Sequence, residues 1–152
     1  GVSGSGKSTI AQQFAKERAA VILKADAIRK HITNTSLTKS DALISDRATS
    51  DLVYFFLNQN AVNITDAGFD TVLDATFLDL EKREEVVLTL KKATIDVKIL
   101  SIECSQETAE KRIQERFGDV SDATSAVLKT QLNRFIPLTD KENEITIVIN
   151  ND

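Results

Sequence analysis

The first eight residues, Gly1-Val-Ser-Gly-Ser-Gly6-Lys7-Ser8, have the spacing G-x-x-x-x-G-K-S. Each residue type in that pattern answers a demand of triphosphate binding. Successive backbone N–H groups must curl around phosphate oxygens. That needs close approach and unusual φ/ψ angles, hence the glycines Gly1, Gly4 and Gly6. Lys7 brings a point charge to the β- and γ-phosphates, and the Ser8 hydroxyl is a hard oxygen suited to Mg²⁺. A helix begun at this point adds its positive N-terminal end. A Gly/Ser-rich stretch is also what a disordered end looks like, but the helical pattern directly behind it favours a P-loop. The candidate nucleotide-binding residues are therefore Gly1, Ser3, Gly4, Ser5, Gly6, Lys7, Ser8 and Thr9.

The elements that must hold this loop follow from hydrophobic period. Lys7 to Ala19 reads as a helix, with Ile10/Phe14 and Ala11/Ala15 at i, i+4 spacing. Ala20–Leu23 has strand length, and Asp26 opens a short helix. Thr33–Ser45 is rich in Thr, Ser and Asn and reads as a loop. Asp46–Ala67 is a long helix with Val53, Leu57, Ala61 and Ile64 on its apolar face, stopped by Gly68. Phe69–Asp74 is a strand ending on a carboxylate, and Leu80–Ala93 is an amphipathic helix with Val86, Val87 and Leu90 inward. Ile95–Cys104 is a strand, Ser105–Phe117 a helix with Ser105 as its N-cap, and Gly118–Ser121 a break. Asp122–Phe135 is a helix ending near Pro137, and Ile145–Ile149 is a last strand. Strands alternating with helices imply a parallel sheet covered on both faces, with ligands beyond the carboxyl ends of the strands. The P-loop, Asp26, Asp74 and Cys104 all fall at such ends.

Bulk composition limits the alternatives. With 152 residues, 41% of them hydrophobic, the chain can bury a core of its own, so 1–152 reads as a single domain. A net charge of −4 argues against a broad grip on nucleic acid. No apolar run approaches membrane-spanning length, and the lone Cys104 cannot form an internal disulfide, so the expected setting is cytoplasmic. The sequence opens on the motif's first Gly, without the buried strand that normally precedes a P-loop. The chain is therefore expected to be a piece of a longer protein, with a sheet of order 2-3-1-4-5 whose first strand is missing. After Ile149-Asn-Asn-Asp152 an adenine-contacting loop would be expected to continue.

Second motifs separate the classes of P-loop protein. A GTPase would carry D-x-x-G where this chain has Asp74-Ala-Thr-Phe77. Thr38-Lys-Ser-Asp41 mimics a guanine-reading motif but lies too early, and the transporter signature L-S-G-G-Q is missing from the sequence. The segments Gly1–Thr9, Lys24–Lys30, Gly68–Phe77, Arg112–Ala123 and Gln131–Leu138 resemble, in order, those of the predicted P-loop kinases, the AAA-type ATP-binding kinase domains. That group is related to polynucleotide 5′-hydroxyl kinases, gluconate kinases and zeta toxins, and some members are fused behind an aminoglycoside-phosphotransferase-like domain. The resemblance implies a three-layer α/β/α P-loop NTPase fold and ATP with Mg²⁺ as cofactors.

It also implies roles. Asp74 resembles the Walker B carboxylate, holding Mg²⁺ together with Ser8. Thr76 either lines the same site or caps the next helix. Asp26 resembles the acceptor-side base, which takes the proton of an attacking hydroxyl; it is also well suited to be an N-cap. Arg29, one turn on, faces either the acceptor or solvent. Arg112 and Arg116, at i, i+4, resemble lid arginines that neutralise the transferring phosphate, and Arg134 is a further candidate nucleotide ligand. Arg83 and Arg47 read as surface charges, His31 as a solvated residue, and Cys104 as core. The implied activity is transfer of the ATP γ-phosphate to a hydroxyl of a small molecule, with a nucleic-acid 5′ end or a nucleotide sugar as less favoured acceptors. The alternative is an ATP-binding regulatory module fused to another domain, without an acceptor of its own.

Overall fold

Four short parallel strands and seven helices make up the described part of the computed structural model, which covers residues 1–33, 47–115 and 124–152. The order is α1 (Lys7–Arg18), β1 (Val21–Lys24), α2 (Ala25–Ile32), α3 (Arg47–Asp66), β2 (Thr71–Asp74) and α4 (Leu80–Lys92). Then come β3 (Ile99–Glu103), α5 (Gln106–Gln114), α6 (Ser125–Arg134), α7 (Asp140–Asn143) and β4 (Thr146–Asn150). The Thr33–Ser45 loop beyond Thr33, the Thr38–Asp41 mimic, Arg116 and the Gly118–Ser121 break lie outside the described residues.

The chain divides into two compact units. One is built from the described residues between Ser8 and Ala75. Its sheet is β1–β2, parallel, pairing Val21 with Thr71 through to Lys24 with Asp74. The long helix α3 packs along α2 and against both strands. Of the predicted stripe it buries Val53, Leu57 and Ala61, with Ile64 only half-buried, and it also buries Tyr54 and Asn58. Leu52 and Phe56, which flank that stripe, are exposed.

The other unit is built from residues 1–7, 76–115 and 124–152. Its sheet is β3–β4, parallel, from Ile99 with Thr146 to Glu103 with Asn150. Helices α5 and α6 pack together, and Ala109, Ile113 and Leu128 form a cluster that Val2 and Cys104 join. The two sheets are the 2-3 and 4-5 pairs of the expected strand order.

Most predicted elements are found with ends shifted by a few residues. β3 is shorter than the apolar run before it, because pairing with β4 begins only at Ile99. The Ser105 cap is present, its hydroxyl accepting from Thr108 N. Helix α7 was missed, although Thr139-Asp-Lys-Glu142 spells a capping box and forms one. Two capping readings do not hold. α2 starts at Ala25 with Lys24 as N-cap, so Asp26 lies inside its first turn. α4 is preceded by Asp79 rather than Thr76.

Candidate functional site

Within the first unit named, β2 delivers Asp74 and the start of α1 delivers Ser8. The Ser8 hydroxyl donates to Asp74 Oδ2 at 2.7 Å. Two hard oxygens, 66 positions apart in sequence, are thus within reach of one small cation. Among the described residues no group of three or more His, Cys, Asp or Glu side chains could hold a metal. One or two protein oxygens, with phosphate and water completing the shell, is the kind of donor set by which Mg²⁺ is held beside phosphates, and the pair fits it. Register places Asp26 at the same sheet edge. Lys24 is the partner of Asp74, and Asp26 follows it by two residues, exposed at the opening of α2. Arg29 is three positions further along that helix, hence on the same side as Asp26. The opposite side of α2 forms, with Phe56 and Asn60 of α3, an apolar groove of about 430 Å³ lined by Ala27, Ile28, His31 and Ile32. Helix geometry turns it away from Asp26.

The loop Gly1–Lys7 belongs to the other unit. Gly4 and Gly6 have φ of +83° and +88°, and a Cβ on either would collide with neighbouring atoms, Ala109 backbone and Asn151 Nδ2 respectively. At these two positions the loop packs against Ala109 and Asn151 too closely for a side chain, and its positive φ is one that glycine adopts without strain. The Lys7 ammonium donates to Val2 O at 2.6 Å, which lays it across the loop. The Ser5 hydroxyl is buried without a hydrogen-bond partner. These features fit a nucleotide's phosphates.

Two residues to which the sequence assigns no role touch this loop, and a third, Arg83, departs from its expected place. Gln131 of α6 accepts the Ser3 N–H at 2.7 Å. Asn151, just past β4, donates from Nδ2 to Ser5 O at 2.8 Å. Arg83 was expected at the surface but is buried. It donates to the carbonyls of Phe77, Leu78 and Pro137, each at 3.1 Å, and forks onto both carboxylate oxygens of Glu142. Its position was legible, since 83, 86, 87 and 90 share one helix face. Nothing in the local sequence marks Gln131 or Asn151, whose partners are 128 and 146 positions away.

The predicted arginines are distributed as follows. Arg112 Nη1 donates to Asn151 O at 2.7 Å and is 3.9 Å from where a Gly6 Cβ would stand, so it is beside the loop. Arg134 is exposed and paired with both oxygens of Asp79 at 3.3 and 3.0 Å. Burial pushes the Cys104 thiol up, with Asp152 adding to the effect and Arg112 and Lys7 opposing it. A protonated, half-buried thiol beside the Ala109–Ile113–Leu128 cluster is core, as its place in the sequence indicated.

A family model described as an AAA domain matches residues 1–138. Among solved structures, a sugar kinase from Janibacter sp. HTCC2649 aligns with a TM-score of 0.72 and 24% identity, over 98% of this chain and 80% of that one. A gluconokinase from Sinorhizobium meliloti 1021 aligns with a TM-score of 0.68 and 18% identity, over 99% of this chain and 78% of the other. No curated protein matches the sequence. The likeness, with the parallel strand pairs and the P-loop, shows the α/β/α P-loop NTPase fold.

Proposed function

Because the chain belongs to the AAA-domain family, we propose that it is a P-loop kinase that uses ATP and Mg²⁺ to phosphorylate a hydroxyl of a small sugar or sugar acid. The observation that carries this reading is the Ser8–Asp74 pair at 2.7 Å, with Asp26 two residues beyond Asp74's register partner. A metal-side carboxylate and a second, exposed carboxylate at one sheet edge are what transfer to an acceptor needs and what simple nucleotide storage does not. The acceptor class is supported by the sugar kinase and gluconokinase to which the fold is similar.

When bound, MgATP supplies the phosphoryl group and an ion that neutralises its charge. The rest falls to this chain's residues. Ser8 and Asp74 hold the ion. The Gly6 amide and those that follow it at the start of α1, with Lys7, hold phosphate oxygens. Asp26 orients the acceptor hydroxyl and takes its proton onto a carboxylate oxygen, with Arg29 beside it on the acceptor side. Arg112 and Arg116, with Arg134, balance negative charge on the transferring group. A cytoplasmic location suits an enzyme that consumes ATP and keeps a free thiol. No helix among the described residues is long and apolar enough to cross a membrane.

Asp26→Asn tests the reading. The variant should bind MgATP like the parent but lose at least about a hundredfold in kcat with a sugar or sugar-acid acceptor. Phosphate transfer at an unchanged rate would remove Asp26 as the base. An ATP-binding chain that phosphorylates no hydroxyl compound would instead be a nucleotide-dependent regulatory module.

A further inference from the structure

Asn151 is held from three directions. Its backbone N–H donates to Glu103 O at 2.8 Å, extending the β3–β4 ladder by one rung. Its carbonyl accepts from Arg112 Nη1 at 2.7 Å. Its side-chain Nδ2 donates to Ser5 O at 2.8 Å, and the same nitrogen is the atom that a Cβ on Gly6 would strike. All these groups belong to one compact unit.

The consequence follows from peptide geometry. Ser5 C=O and Gly6 N–H are the two ends of one planar trans unit, so they point in opposite directions. Gly6, with no side chain and φ of +88°, leaves that unit unusually free to rotate. A donor pinned to Ser5 O removes the freedom and aims Gly6 N–H away from Asn151. Among the described residues no backbone group accepts from that N–H.

We propose that Asn151 is a positioning residue of the phosphate loop: by clamping Ser5 O it orients the Gly6 amide as a donor to a nucleotide phosphate. Preorganised amides bind anions better than mobile ones, because no orientation has to be found on binding. The inference rests on the reading of Gly1–Thr9 as a nucleotide loop and adds a residue at the far end of the chain to it.

The test compares Asn151→Asp and Asn151→Ala with the parent in the full chain. Calorimetry measures affinity for ATP and for ADP with Mg²⁺, and thermal unfolding is followed in parallel. The Asp variant keeps both backbone bonds and the side-chain shape but removes the donor. The Ala variant removes the donor without adding charge. Both should weaken ATP and ADP by the same factor, about tenfold, because the amide serves a phosphate common to both. The Gly6 amide resonance should move on adding MgADP to the parent and should move less in either variant. Parent-like affinity in the Ala variant, or a loss that disappears once its lower unfolding temperature is allowed for, overturns the positioning role. Lys7→Ala separates the layers. If it abolishes nucleotide binding while Asn151→Ala binds ATP and ADP as tightly as the parent, the Asn151 inference alone fails. If Lys7→Ala binds ATP normally, the reading of the loop beneath it fails as well.

Discussion

A single hydrogen bond between two side chains, Ser8 to Asp74 at 2.7 Å, is the contact on which the proposed metal-dependent reading of the phosphate loop turns. Neither residue is a strong cation ligand by itself. In the proposed site they would together offer two oxygens to an ion whose remaining ligands come from phosphate and water. The expected signature is selective. Asp74→Asn should weaken MgATP binding by about tenfold while leaving metal-free ATP affinity within about twofold, because only the ion-mediated part is lost. Titrations with and without chelator measure both. Equal losses in the two would place Asp74 outside the metal site. These two residues could be picked out from sequence because the chemistry dictates their types and the motif dictates their places. Gln131 and Asn151 could not be. An amide side chain at a helix or strand end carries no local mark of the carbonyl or N–H it meets 128 or 146 positions away.

Among the elements, the helices were the more legible because their apolar period is long enough to be counted. α3 has its buried stripe where i, i+4, i+8 spacing puts it, at Val53, Leu57 and Ala61. The strands are only four or five residues long, and their limits depend on which neighbour pairs. Helix ends show a further departure. α4 stops with Thr94 at φ of +59°, while the next residue's N–H reaches back to Leu90 O at 2.9 Å. That is a left-handed C-terminal turn made by a β-branched residue, which pays a steric penalty that Gly avoids. Thr94→Gly should therefore raise the midpoint of thermal unfolding by a few degrees, equivalent to about 1 kcal/mol. A lower midpoint would mean that the Thr94 hydroxyl, bonded to Ala93 O at 2.7 Å, outweighs the strain.

For the whole molecule, acid stability should follow the Arg83–Glu142 pair. Burial alone would raise the Glu142 carboxyl. The Arg83 hydrogen bond, the Thr139 donors and the Arg83 charge outweigh it and hold the group below the ordinary glutamate value of 4.5. A carboxylate depressed in the folded state contributes stability that is fully present above the unfolded value. The contribution is lost as pH falls through the lower folded value. Urea unfolding at neutral pH and at about pH 3 should therefore show Glu142→Gln costing about 3 kcal/mol at neutral pH, where it strands a buried guanidinium. The difference from the parent should shrink in acid. A constant difference at both pH values would show that the carboxylate's charge is irrelevant. This pair also ties the α4 start to the Pro137 and α7 segments, which neither Arg83 nor Glu142 reveals by its local pattern.

By itself the sequence determined the donor half of the proposed chemistry and the order of the larger elements. A P-loop is a local motif whose residue types are set by phosphate, and amphipathic period is a local signal of burial. Only the tertiary structure decided which distant groups hold that loop and fill the core beside it. It put Asn151 on Ser5, Gln131 on Ser3, and a buried Arg83 on Glu142. The physical reason is that a hydrogen bond requires about 3 Å of approach and says nothing about separation along the chain. Where chemistry demands a residue type within a few positions, the sequence states it. Where it demands only that two polar groups meet, the fold has to be seen.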